Sequence, residues 1–256
     1  MAVDLEIKGP VARIFLNRPE KLNALTIEML ASLEQHIGAL ENNPDVRVIM
    51  ITGAGEKSFC VGADIKAWAE LDAVGMWREW IREGHRVFNR IANVNIPTIA
   101  VLNGYTFGGG LELALSTDIR IAATKVQLAL PEVKLGIVPG WGGTHRLPAA
   151  IGVARAKQMV FTGMRIDAAK AESWGLINEV VDLEDLHLRA AAIAGEIVEN
   201  GPLAVQMTKQ LIDGGVSANH GLYLESLASG MARFTEDANE GISAFKEKRE
   251  AIFKGA

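Results

Sequence analysis

NGYTFGGGLELALSTD, Asn103 to Asp118, is the stretch whose reading decides the fold of this chain. An apolar run, IPTIAVLNG (Ile96 to Gly104), leads into it, and three consecutive glycines, Gly108, Gly109 and Gly110, stand at its centre. The apolar, helix-forming segment LELALS follows at once and carries a single acid, Glu112. Strand, glycine turn and helix in that order leave free backbone N–H groups at the positive end of a helix. Glycine lets a bound group approach the backbone with no Cβ in the way. A carboxylate so early in the helix would repel phosphate. The turn therefore suits a developing oxyanion, with Glu112 handling a proton or a water nearby. The plainer alternative is a packing turn with Glu112 facing solvent.

Upstream, Val11 to Asn17 reads as a strand ended by Arg18-Pro19. Thr26 to Leu40 carries apolar residues at helical spacing (Ile27, Leu30, Leu33, Ile37, Leu40) with Thr26 as cap. Val46 to Thr52 is a nearly continuous apolar run, as expected of a strand covered on both faces. Strand, helix, strand in that order predicts a βαβ unit. In SFCVGADIKAW (Ser58 to Trp68), Gly62 makes a second glycine turn opening a short helix, with Lys66 close by as a candidate phosphate partner. Residues 70–93 read as a charged helical stretch in which Trp77 and Trp80 pack rather than bind.

Downstream, Asp118 to Ala123 continues as a strand and Val126 to Leu130 leads to Pro131-Glu132. Glu132 sits at a first helical turn, where the dipole favours an acid. The segment up to Leu147 is dense in turn signals, Pro139-Gly140 and Gly142-Gly143 among them. Beyond Gly152 the pattern predicts helices at Ala154–Phe161, Ala168–Trp174, Leu183–Asn200, Pro202–Asp213, Leu222–Met231 and Glu236–Ile252. Leu176 to Val181 is the only strand expected there.

The bulk properties narrow the function classes. At 256 residues the chain can bury a full core. A net charge of −5 argues against a general nucleic-acid or anionic-membrane surface. One cysteine, Cys60, rules out an internal disulfide and suits a reducing compartment, and it reads as a small buried residue. No apolar run approaches the roughly 20 residues that span a bilayer, so a cytoplasmic location without membrane contact is expected. The five histidines show no metal-ligand spacing, and His145, beside the glycine-rich loop, reads as structural. Ser58 and Ser116 lack a nucleophile-elbow context, and GGG is not a nucleotide-binding loop.

Five segments in order carry a wider resemblance: NRPEKLNAL (Asn17 to Leu25), FCVGADIK (Phe59 to Lys66), NGYTFGGGLELAL, PEVKLGIVPGWGGTHRL and AFKEKR (Ala244 to Arg249). Together they span nearly the whole chain, which resembles the crotonase superfamily in its enoyl-CoA hydratase/isomerase branch. The resemblance implies an α/β fold, a spiral of repeated ββα units with a C-terminal helical region. It implies a catalytic core over residues 1–195 and a helical trimerisation region over 196–256. The expected assembly is a homotrimer or a dimer of trimers. The expected substrate is an acyl-CoA thioester, with coenzyme A part of the substrate and no separate cofactor or metal.

The resemblance also supplies roles. Ala63 and Gly109 match the two backbone donors of an oxyanion hole, and Glu112 and Glu132 match the two carboxylates of hydratases. Coenzyme A contacts map to Lys21 and Leu22, to Asp64, Ile65 and Lys66, and to Phe245 and Lys248 of a neighbouring subunit. Both acids together favour hydration over double-bond migration, which needs one. A relative that kept the fold to bind RNA is disfavoured by the acidic balance. Trp141 departs from the smaller residue usual in this loop. It either narrows the acyl pocket or packs on the protein side.

Overall fold

The computed structural model describes residues 2–214 and 218–256. Among them the strands are β1 (Val3–Lys8), β2 (Val11–Leu16), β3 (Val48–Gly53), β4 (Ser58–Cys60), β5 (Thr98–Leu102), β6 (Tyr105–Phe107), β7 (Ile119–Ala123), β8 (Gln127–Ala129), β9 (Ile166–Asp167) and β10 (Glu179–Val181). They form a six-stranded sheet in the order β1-β2-β3-β5-β7-β10 and a smaller one in the order β4-β6-β8-β9. The β1–β2 and β8–β9 pairs are antiparallel and the remaining pairs are parallel.

This order describes a spiral. Three times in succession the chain lays one strand in the large sheet and the next in the small sheet, then turns into a helix. β3 and β4 lead to the helix Ile65–Trp68, β5 and β6 to the helix Gly109–Leu115, and β7 and β8 to the 3-10 turn Glu132–Leu135. Because β4, β6 and β8 are parallel neighbours, the segments that follow them stack at one edge of the small sheet. The α/β spiral expected from the resemblance is the observed fold.

Burial explains why these stretches take these forms. Every residue of β3 and β5 is buried, so their continuous apolar sequences are those of strands covered on both faces. One cover is the helix Ile27–Glu41, which buries Met29, Leu30, Leu33, Ile37 and Leu40 and is capped by Thr26 accepting from Met29 N at 3.3 Å. The helix Leu186–Val198 packs on β3, β5 and β7 through a stripe containing Leu186, Ala190, Ile193 and Ala194. That helix runs through position 195, where the core was expected to end.

Several expectations need correction. Residues 70–93 are not one helix: a short turn at Ala73–Gly75 passes into a π-helical segment, Met76–Ile81, and then an α-helix, Arg82–Asn93. Trp80 is buried there, but Trp77 is 63% exposed and is no packing residue. The glycine-rich stretch after Gly142 forms a helix, Gly143–Ile151, that accommodates Pro148. β9 is a second strand beyond Gly152. The last helix ends at Glu247 rather than Ile252, because Lys248 adopts a left-handed conformation (φ 55°) that halts it.

Asp118, just ahead of β7, ties the C-terminal helices to the sheet. Its Oδ2 accepts from Thr98 N (2.7 Å) and Thr98 Oγ1 (2.9 Å), and the Lys209 ammonium from the helix Pro202–Asp213 donates to both carboxylate oxygens at 2.6 Å. The Lys209 side chain is only 8% exposed. Removing Asp118 leaves this buried cation with only the more distant, half-exposed Asp213 carboxylate at 3.9 Å. Asp118→Ala is therefore expected to lower stability to urea unfolding by about 3 kcal/mol. Asp118→Asn, which keeps an acceptor for Thr98 but loses the charge, is expected to lower it by somewhat less, and an Asn variant as stable as wild type would remove the ion pair from this account.

Candidate active site

Two glycine turns meet with no room for side chains between them. β4 runs into Val61-Gly62-Ala63, and Gly62 has φ 102°, a conformation open to glycine. A Cβ on Gly62 would stand 3.0 Å from Phe107 O and 3.1 Å from Gly109 N. One on Gly110 would stand 2.1 Å from Cys60 O. This contact brings the Ala63 and Gly109 amides together, since a Cβ on Gly109 would lie 3.6 Å from Ala63 N. Gly109 is the first residue of its helix, so its N–H has no intrahelical acceptor. Neither amide donates to a backbone acceptor among the described residues. Two unspent N–H groups thus face one place.

Glu112 does not face solvent. It is 2% exposed, and its Oε1 accepts from Trp141 N and Gly143 N, each at 2.8 Å. Burial pushes its carboxyl above the ordinary range, opposed by those two amides and by the nearby Arg146 charge. Glu132 opens the 3-10 turn directly after Pro131. Among the described residues its Oε2 is buried without a partner, and its Oε1 lies 2.9 Å from where a Gly108 Cβ would stand. Burial pushes this carboxyl up to about 7; its own backbone N–H opposes the rise and the Glu112 charge adds to it.

Both acids line one cavity of about 470 Å³. Gly62, Ala63, Gly108 and Gly109 share its wall with them, and Trp68, Met76, Trp80, Ile81 and Trp141 make the apolar remainder. Ile65, Leu135 and Val138 stand at the exposed rim. Trp141 packs on the protein side and also forms part of the cavity wall. Its indole is 2% exposed and packs on Trp80 and Phe88, with ring centroids 5.1 and 5.3 Å away, yet it also lines the cavity.

The remaining expected positions are distributed differently. Leu22 O accepts from Val61 N and Leu25 N donates to Gly62 O, so the Lys21–Leu25 segment lies against the first glycine turn. Asp64 caps the helix Ile65–Trp68 by accepting from Lys66 N at 3.1 Å, and it pairs with Arg18 at 2.7 Å. Its carboxyl is held below the ordinary range by that guanidinium. Lys66 is exposed. Phe245 (86% exposed) and Lys248 lie on the surface, away from this cavity. His145 is exposed, with Nδ1 3.0 Å from Thr144 Oγ1, and is neither buried nor part of the cavity wall.

Sequence reading missed the residues that support the acids. Gly143 supplies one of the two donors to Glu112. Arg146 braces the same loop through Trp141 O (3.2 Å) and Asn89 Oδ1 (2.6 Å). The signal was present in PGWGGTHR: a loop rich in glycine keeps its N–H groups free, and an arginine four residues beyond can fold back on it. The cavity walls from Trp68, Met76, Trp80 and Ile81 carried no such mark.

A family model for enoyl-CoA hydratase/isomerase matches residues 6–256. The chain belongs to this family. It is 43% identical over 249 residues to the short-chain-enoyl-CoA hydratase of Clostridium acetobutylicum, covering 96% of this chain and 95% of that one. It is 40% identical over 258 residues to the (E)-benzylidenesuccinyl-CoA hydratase of Thauera aromatica, covering 100% of both. It also superposes on the crystal structure of the enoyl-CoA hydratase from Bacillus anthracis with a TM-score of 0.97, at 39% identity and with 100% of each chain covered.

Cys60, buried beneath the first turn, gives a direct check on the packing there. It is 0% exposed, and burial pushes its thiol up to about 12. A thiolate is the reactive form. The native protein at pH 8 is expected to resist a disulfide-exchange reagent such as Ellman's reagent, with one thiol appearing only on unfolding. Rapid labelling of the folded chain would mean that the two turns are not closed over it.

Proposed function

We propose that this chain is an enoyl-CoA hydratase, adding water syn across the double bond of a 2-enoyl-CoA to give a 3-hydroxyacyl-CoA. The observation that carries this reading is the meeting of two carboxyl groups and two unspent backbone N–H groups on one apolar cavity. The relatives named above support it, since each is called a hydratase of a CoA thioester.

The chemistry asks for these parts. Attack of water at the β-carbon places negative charge on the thioester oxygen. The Ala63 and Gly109 amides are assigned to that oxygen, and losing one such donor costs about 3 kcal/mol of transition-state stabilisation. The water lies between the two acids. Glu112 Oε1 is already filled by two amides, so Oε2 is left to orient the water and take its proton. Glu132, with a carboxyl that stays protonated to about 7, gives a proton to the α-carbon on the same face. Isomerisation would need Glu132 alone and would leave the buried, amide-held Glu112 with no task.

The same reading assigns coenzyme A to Lys21, Leu22, Asp64, Ile65 and Lys66, joined by Phe245 and Lys248 of a neighbouring copy. It divides the chain into a core at 1–195 and a trimerisation region at 196–256. Exposed apolar side chains along the latter, Ile212, Leu222, Met231 and Phe234 among them, support contact between copies. Coenzyme A enters as part of the substrate. No helix among the described residues is long and apolar enough to cross a membrane, which agrees with a cytoplasmic location.

Hydration takes up no net proton, so the two acids must hold one proton between them before and after each turnover. Loss of that proton above about pH 7 stops delivery to the α-carbon. Wild-type kcat/KM for crotonyl-CoA is expected to fall about tenfold per pH unit above 7, with the same limb for dehydration of 3-hydroxybutyryl-CoA. Glu112→Gln and Glu132→Gln are each expected to lose on the order of a hundredfold or more. A rate that stays flat to pH 9, or variants within threefold of wild type, would sink the two-acid mechanism.

A further inference from the structure

The cavity has an open end and a closed end. Ile65, Leu135 and Val138 at its mouth are 51%, 59% and 73% exposed, whereas Trp80 and Trp141 are 4% and 2% exposed. Trp141 touches both fixed points of the proposed reaction, one through its backbone and one through its indole. Its own backbone N–H holds Glu112, and a Cβ on Gly109 would lie 2.6 Å from its Cζ3.

The surroundings are shaped to hold this ring. Gly84 lies in the first turn of the helix Arg82–Asn93, which continues the π-helical segment before it, and glycine is a poor helix former. A Cβ there would fall 2.1 Å from Trp141 Nε1. That indole N–H donates to Trp80 O at 3.3 Å, and Phe88 meets the ring edge-on at an interplanar angle of 74°. Turning the indole aside would drive it into backbone and take its buried N–H from the Trp80 carbonyl. The wall is therefore stiff.

We propose that Trp141 sets the acyl specificity of this site: wedged between Gly84 and Gly109 and tied to Trp80, its indole blocks the path beyond the substrate β-carbon and selects short 2-enoyl groups over long straight chains. The proposal rests on the hydratase reading for where the β-carbon lies. With the thioester oxygen at the Ala63 and Gly109 amides and the β-carbon within reach of Glu112, the atoms beyond it run toward the closed end. The first buried surface they meet is the indole.

The test compares kcat/KM for crotonyl-CoA and trans-2-decenoyl-CoA in wild type, Trp141→Phe, Trp141→Leu and Trp141→Ala. All three variants keep the backbone N–H on Glu112. Wild type is expected to prefer crotonyl-CoA by about a hundredfold. Trp141→Ala is expected to raise the decenoyl-to-crotonyl ratio at least tenfold and Trp141→Leu at least threefold, with Trp141→Phe between wild type and Leu. A ratio unmoved by Ala and Leu, even with both rates reduced, overturns the proposal. If Trp141→Ala does not fold, the Leu variant alone decides.

Calorimetric binding of butyryl-CoA and decanoyl-CoA, which cannot be hydrated, reads the wall without turnover. Decanoyl-CoA gaining affinity at least tenfold over butyryl-CoA in Trp141→Ala, while wild type turns over neither enoyl thioester, would uphold the wall and sink the hydratase reading. No gain in binding and no change in rate ratio would sink the wall alone.

Discussion

The site depends on a contact between two stretches of backbone. Cys60–Gly62 and Gly108–Gly110 approach so closely that a methyl group on Gly110 would overlap the Cys60 carbonyl and one on Gly62 would press on Phe107 O and Gly109 N. That contact sets the spacing of the Ala63 and Gly109 amides. Backbone donors held in this way need no reorganisation when charge develops before them, which is the condition under which electrostatic stabilisation is largest. The parallel pairing of β4 with β6 delivers the two turns to the same edge, so the sheet is what makes the contact possible.

Around that fixed point the structure sets two identical functional groups in different surroundings. Both glutamates are taken out of water, which raises both carboxyls. Glu112 is compensated by two amides from the Trp141–Gly143 loop, whereas a buried oxygen of Glu132 is left without a partner. A saturated acid holds its position, and an unsatisfied one is ready to exchange a proton. An unpaired buried oxygen costs stability. A core that extends through two sheets and the covering helices offsets that cost.

Much of this was legible from local signals. The glycine triple, the Thr26 cap and the mostly apolar runs of β3 and β5 each declare their structure within a few residues. What was not legible is short or non-local. β4, β6 and β9 have two or three residues each, too few to display alternation. The helix Gly143–Ile151 was hidden by glycines and a proline that serve the loop before it. The π-helical segment Met76–Ile81 looks in sequence like any helix, yet it presents Trp80 to the cavity. Glu112 and Glu132 lie 20 positions apart, one turn of the spiral, and no local pattern pairs them. The resemblance paired them by motif order, and the β6–β8 register brings their segments side by side.

The division of labour within a turn of the spiral explains how such a site can vary. Strands of the large sheet carry burial, strands of the small sheet carry register, and the segments after β4, β6 and β8 carry Ala63, Gly109, Glu112 and Glu132. Trp141 belongs to none of these turns. It enters from the following loop, giving its backbone N–H to Glu112 and its side chain to the cavity wall. The first contribution is independent of side-chain identity and the second depends on it entirely. A loop built this way can exchange one wall for another while the acid it holds stays in place, provided that partners such as Gly84 make room for the ring. In this chain Gly84 leaves that room: a Cβ there would fall 2.1 Å from Trp141 Nε1, a constraint that lies in packing rather than in any motif.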